Sequence, residues 1–210
     1  MNVLLQRAQS GSNDIQMKNN IPKFPPTQEW DKRLFADEVC LHLKSCKTAH
    51  ENPWFKVCDR DSYYTVEHKE PQVIVLPIID HSSILFVRPK RPVLNDNPLE
   101  LPAGGFEKNV EQPEQGAARE LREEAGIEVE NLKRFTPLCP ISISPNREPH
   151  LAFVFQVDLS QLEFEKRFSH DDEIVEVIQV GVDAIPEMLN LGEIYVSAVI
   201  AVVGRYLLTR

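Results

Sequence analysis

The sequence predicts an α/β protein: a mixed sheet covered by helices on both faces. Three observations carry that prediction. Gln72–Ile79 is a continuous apolar run, the mark of a strand buried on both sides. Residues 113–126 read as a helix that opens on Pro113 and closes on Gly126. Further short apolar runs are interleaved with stretches at helical spacing near the C-terminus, an order that layers helices over a sheet.

At 210 residues the chain is expected to form one domain with an extension, long enough to bury a core. The formal net charge of −9 argues against a general nucleic-acid or anionic-membrane binder. An acidic protein that handles an anion needs local cations, either metal ions or placed arginines. Cys40, Cys46, Cys58 and Cys139 have no metal-type spacing and are expected to be reduced thiols in a cytoplasmic protein. Val3-Leu4-Leu5 is too short for a signal segment, and no 18-residue apolar run exists, so no membrane span is expected.

Residues 1–26, polar and ending in Ile21-Pro22-Lys23-Phe24-Pro25-Pro26, read as a flexible tail. Residues 27–47 carry Trp30, Leu34, Val39, Leu41 and Leu43 among charges and read as a helix. Residues 52–57 and 63–67 read as two strands joined by a turn at 59–62. This hairpin cannot bury both faces alone and is expected to pack on the main domain or a second subunit. Residues 27–70 are thus a possible dimerisation extension, and 71–210 the main domain. Residues 83–88 are the expected hairpin partner of Gln72–Ile79. Residues 89–98, with three prolines, must be a loop. Residues 135–144, 151–157 and 174–180 read as strands, and 183–191 and 193–208 as closing helices.

The helix at 113–126 carries the chemistry. Ala117, Leu121 and Ala125 form one apolar stripe, while Glu120 and Glu124 share another face with Glu123 beside it. Three glutamates alone describe a solvated acidic face, since like charges four apart cost only about 0.2–0.5 kcal/mol. The longer spacing says more. Gly105, five residues, Glu111, seven residues, Arg119-Glu120-Leu121, one residue, Glu123-Glu124, one residue, Gly126-Ile127 is a pattern expected by chance below roughly 10⁻⁷ per position. It is the Nudix box, and the chain resembles the Nudix hydrolase superfamily over residues 52–206.

That resemblance implies an α/β/α sandwich with a mixed sheet, preceded by an N-terminal helix and β-hairpin. It implies metal binding by Glu120, Glu124 and a backbone carbonyl, Gly104 or Ala103, with Mg²⁺ as the cofactor and Mn²⁺ as a substitute. Glu123 either shares the metal or is held by Arg119, and the i, i+4 spacing favours Arg119. Gly105, Glu111, Arg119 and Gly126 are expected to shape the box. The loop departs from the common pattern: Glu107 falls one place early, and Val110 stands where many members have glycine.

Within the superfamily the chain is most similar to the ADP-ribose and nucleotide-sugar pyrophosphatase branch. The resemblance rests on the hairpin extension, the Leu99-Glu100-Leu101-Pro102-Ala103-Gly104 lead-in, Ser144-Pro145, and Gly192-Glu193-Ile194 followed by Ser197. It implies substrate contacts by Arg91, with Arg88 beside it, and by Glu100. It also implies a late-loop acid, Glu173, as base or metal ligand, and a homodimer whose Trp54, Phe55, Tyr63 or Tyr64 could stack on a base. The expected substrate is a nucleoside diphosphate sugar. Alternatives are hydrolysis of nucleoside triphosphates or dinucleotide polyphosphates, and a non-catalytic nucleotide sensor. Isomerase chemistry on this fold needs a cysteine motif that neither Cys58 nor Cys139 matches.

Overall fold

A computed structural model describes residues 45–107 and 109–210; the expected tail and nearly all of the expected 27–47 helix lie outside them. The described residues form two sheets. A small antiparallel sheet runs β1 (Lys47–Glu51), β2 (Phe55–Asp59), β3 (Tyr64–His68). The main sheet has the order β7–β8–β4–β5–β9, from β4 (Gln72–Ile79), β5 (Ser83–Pro89), β7 (Thr136–Ile141), β8 (Ala152–Leu159) and β9 (Ile174–Gly181). The short β6 (Ala103–Gly105) also pairs with β4. The β4–β8 pair is parallel and the other pairs are antiparallel, so the sheet is mixed as predicted.

Alternation along the central strands divides the core into two layers. Val73, Val75, Leu85, Val87, Phe153 and Phe155 face one cluster, which helix α1 (Pro113–Ala125) closes with Ala117, Leu121 and Ala125. Ile74, Leu76, Ile84, Phe86 and Val154 face the other. That side is closed from α3 (Ile185–Leu191) by Ile185 and from α4 (Ser197–Thr209) by Val199, Val202 and Val203. The result is the α/β/α sandwich. Leu121 is fully buried, so Leu121→Ala costs about 2–5 kcal/mol.

The structure refines several expectations. β5 meets β4 only at Ile78↔Ile84 and Ile79↔Ser83, because β6 takes up the other end of β4 at Gln72↔Gly105. This arrangement brings residues 103–105 into the sheet and aims the following loop at α1. Residues 193–196 are not helical: Gly192 adopts φ +76° and ends α3, and α4 starts at Ser197. β7 is an edge strand, where Pro137 is tolerated, and a register shift between Leu138 and Ile141 accommodates Pro140. A short helix α2 (Gln161–Glu165) was not anticipated, although Ser160 and Glu163 form the reciprocal capping box that signals one. β1 was also missed. Its residues are all exposed and it pairs through its backbone, so it leaves no apolar signature.

One expectation is overturned. Cys46 and Cys58 are disulfide-bonded, because the β1–β2 pairing brings their Cα atoms to 5.0 Å; Cys139 is free. Reduced thiols at these two positions therefore no longer point to a cytoplasmic setting. No described helix is long and apolar enough to cross a membrane.

Candidate active site

Helix α1 is set by local rules. Pro113 occupies the first turn, and the Gln112 N–H donates to the Gln115 side chain at 2.7 Å. Gly126 adopts φ +68° at the C-terminal end, and its N–H donates to the Arg122 carbonyl at 3.0 Å. A Cβ at Gly126 would lie 2.2 Å from the Phe168 carbonyl oxygen. Gly116 lets the helix approach the loop, since a Cβ there would meet Phe106 Cβ at 2.5 Å.

Arg119 is the hub of the cluster. Its Nε donates to Glu111 Oε1 at 3.0 Å, and Nη1 donates to Glu120 Oε1 and Glu123 Oε2, both at 2.8 Å. Its Nη2 donates to the Gly105 carbonyl at 2.6 Å. One guanidinium therefore joins the loop glycine, the loop acid and two acids of the helix. The contact with the adjacent Glu120 was not foreseen, since neighbours in sequence do not face each other on a helix. The long, forked side chain reaches it nonetheless. Burial opposes the charge on Arg119, but Glu111, Glu120 and Glu123 outweigh that and raise its pKa.

Glu120 and Glu124 both carry raised pKa values. Glu120 is 7% exposed, and burial raises its pKa despite Arg119. Burial pushes Glu124 up to about 8, against the Ala103 N–H that donates to its Oε2 at 3.0 Å. The neighbouring Glu120 carboxylate also raises the Glu124 pKa, since like charges disfavour the ionised form. Gly104 lies against this pair: a Cβ there would fall 2.3–2.5 Å from the Glu120 carboxylate atoms. A buried carboxylate, Glu120, and a half-buried one, Glu124, beside a backbone that only glycine lets so close to Glu120, make an oxygen-rich donor set that fits a divalent cation.

The remaining predicted residues separate into two groups. Arg91 grips Glu100 with both ends of its fork, Nε to Oε1 and Nη2 to Oε2, each 2.8 Å. Glu100 raises the Arg91 pKa most, and Glu124 and Glu173 add to it, so these charges share one neighbourhood. Glu173 is exposed, and its carbonyl accepts the Lys90 N–H at 2.9 Å. Arg88 turns the other way. Alternation along β5 puts it with Ile84 and Phe86, and its guanidinium meets the Asn97 carbonyl at 3.0 Å and Glu176 at 3.6 Å.

An open cleft of about 580 Å³ lies beside the cluster, walled by Gly105, Glu111 and Arg119 on one side and by Trp54 and His68 of the small sheet on the other. Trp54 is 73% exposed. The other expected aromatics are engaged elsewhere. The Tyr63 hydroxyl donates to the Asn146 carbonyl at 2.6 Å, and the Phe55 ring lies between those of His50 and His68.

Comparison with known proteins agrees with this architecture. The NUDIX domain model matches residues 68–198, more than half of the chain, and the chain belongs to that family. It is 36% identical over 124 residues to an ADP-ribose pyrophosphatase of Bacillus subtilis (strain 168). That match spans 59% of this chain and 64% of the relative, less than two thirds of its length. A crystal structure of an ADP compounds hydrolase aligns with a TM-score of 0.57 over 79% of this chain and 92% of that one. At 16% identity, that likeness speaks for the fold alone.

Proposed function

We propose that the chain is a divalent-metal-dependent pyrophosphohydrolase acting on ADP-ribose or a related nucleoside diphosphate sugar. The products are a nucleoside monophosphate and a sugar phosphate. The observation that carries this reading is the pair Glu120 and Glu124. Both are raised in pKa by burial, and Arg119 is already bonded to Glu111, Glu120, Glu123 and the Gly105 carbonyl. A further cation satisfies them.

In this reading Glu120, Glu124 and the Gly104 carbonyl hold the ion, and their all-oxygen set suits Mg²⁺, with Mn²⁺ able to replace it. The bound ion supplies charge neutralisation on the diphosphate and a lowered pKa for an attacking water. Arg119 holds Glu120 and Glu123 in place and fixes the loop through Gly105. Arg91 offers a bidentate fork to a phosphate, in exchange for or alongside Glu100, which in this reading contacts the ribose or base. Glu173, in the same neighbourhood, is the proposed base that takes the proton of the attacking water. Arg88, on the other side of β5, has the weaker claim to the substrate. Trp54 stands exposed on the cleft wall, where an adenine ring can stack. The Bacillus relative named for ADP-ribose supports the substrate class. A homodimer and a cytoplasmic setting belong to the same reading; light scattering of the full chain tests the first, and localisation of a tagged chain the second.

Product release from a panel with Mg²⁺ tests the reaction. Nucleoside diphosphate sugars, led by ADP-ribose, are expected to be cleaved fastest. A strong preference for a nucleoside triphosphate or a dinucleotide polyphosphate would overturn the substrate class. No turnover across the whole panel would leave a nucleotide sensor in its place.

A further inference from the structure

Away from helix α1, three residues of metal-ligating type converge where the small sheet meets the main one. His68 ends β3, while Glu148 and His150 lie just before β8. One donor atom from each lies within 4.8 Å of the other two. His68 Nε2 stands 3.9 Å from Glu148 Oε2, too far for a hydrogen bond. The His68 and His150 rings stand edge-to-face with centroids 5.3 Å apart. Donors around a tetrahedral ion are separated by roughly 3.3–3.5 Å, as bonds of about 2.0–2.1 Å require. Small side-chain rotations close the difference.

A second observation points to a ligand. His150 is 6% exposed, and among the described residues its buried Nδ1 has no hydrogen-bond partner. The commonest fate of such a nitrogen is a bond to a backbone carbonyl or a carboxylate, and none of the described residues offers one to Nδ1. An unsatisfied buried polar atom costs about 1–3 kcal/mol, and native proteins leave few of them. Neutral imidazole is also the form that ligates a metal.

We propose that His68, Glu148 and His150 form a second metal site, distinct from the carboxylates of α1, that takes a zinc-type transition-metal dication. Two imidazoles and one carboxylate favour such an ion over Mg²⁺, which prefers an all-oxygen shell. Three protein ligands leave a further position for water. The ion tightens a junction that already exists. The Val66 N–H donates to the Arg147 carbonyl at 2.8 Å, and the Arg147 guanidinium lies 5.3 Å from the centre of the Tyr63 ring. Because His68 also walls the cleft, the same ion fixes one side of it. The site does not rest on the hydrolase reading.

The test is calorimetric titration of the metal-stripped full chain with Zn²⁺ in a Glu120→Gln/Glu124→Gln background, which removes the helix carboxylates as competitors. One equivalent per chain is expected. Adding His68→Gln or Glu148→Ala should weaken it more than about 100-fold, beyond the 10–100-fold typical of losing an outer-shell partner. Wild type saturated with Mg²⁺ should behave like the double variant, and Zn²⁺ should raise its Tm but not that of His68→Gln. Co²⁺ substitution should give a visible spectrum of low coordination number. His150→Asn is expected to abolish binding; should it fail to fold, the partly exposed His68 and Glu148 decide the matter. No zinc binding in the double variant, or binding unchanged by His68→Gln and Glu148→Ala, overturns the proposal.

Discussion

The Arg119 cluster and the His68–Glu148–His150 trio are both gatherings of ionisable side chains beside one cleft, yet they are built in opposite ways. In the first, the chain supplies its own cation, and Arg119 bonds three acids and a carbonyl. In the second, the three members are two imidazoles and a carboxylate, and among the described residues His150 Nδ1 has no hydrogen-bond partner. The difference teaches where an added cation belongs. Arg119 compensates Glu111 and Glu123, so the need shifts to Glu120 and Glu124, whose pKa values remain raised. In the trio, the need falls on the whole set.

That contrast can be broken most sharply at Glu124. Glu124→Gln keeps the side-chain volume and removes a charge, so turnover of ADP-ribose should fall more than about 100-fold, exceeding the loss of an outer-shell partner. Steady-state assay measures this; unchanged turnover would remove Glu124 from the reaction. The helix end comes next. Gly126→Ala forces a side chain into φ +68° and into the Phe168 carbonyl. The conformation alone costs about 1 kcal/mol, and the clash brings the loss to about 2–3 kcal/mol, or a Tm fall of roughly 5–10 °C. Calorimetric melting is the check.

Gly104→Ala places a methyl where the Glu120 carboxylate lies. The carboxylate must move while the core stays, so turnover should fall about tenfold or more with Tm lowered by only a few degrees. A variant with full activity would place the ion elsewhere. The smallest effect is a control outside both clusters. Arg134 Nη1 donates to Glu163 at 2.6 Å, and Arg134 holds the Glu163 pKa down at about 2, against 4.5 for a free glutamate. A lowered folded pKa stabilises the native state above pH 4.5, and that contribution is lost as pH falls from 4.5 toward 2. Solvent screening limits it to below about 1 kcal/mol. Melting curves of Glu163→Gln and wild type should therefore differ near neutral pH and converge in acid.

How legible each cluster was follows from the same construction. The box is written within the single stretch Gly105 to Ile127, and the helix rules that place Ala117, Leu121 and Gly126 are local, so α1 and its charged face were readable. The two-layered core was readable too, because Gln72–Ile79 is apolar on both sides of its pleat. What could not be read depends on contact across the fold. The approach of Gly104 to Glu120, and the Ala103 N–H to Glu124, depend on β6 pairing with β4. The meeting of His68 with Glu148 and His150 spans about 80 positions of chain. The 3.6-residue period says nothing of Arg119 curling back onto Glu120. Arg88 was grouped with Arg91 on nearness in sequence, whereas the pleat of β5 turns it away.

The segment that carries Glu173 is fastened on two sides. The Phe168 N–H donates to the Gly126 carbonyl and the Asp171 N–H to the Glu123 carbonyl, at 2.8 and 2.9 Å. From the other flank, the Lys90 N–H reaches the Glu173 carbonyl and Lys90 Nζ the Asp172 carbonyl. The turn around Val93, which is 99% exposed, has no comparable fastening at its tip. Length variation among natural relatives should therefore collect near Val93 and avoid residues 168–173, because one inserted residue there would shift Glu173 out of step with helix α1.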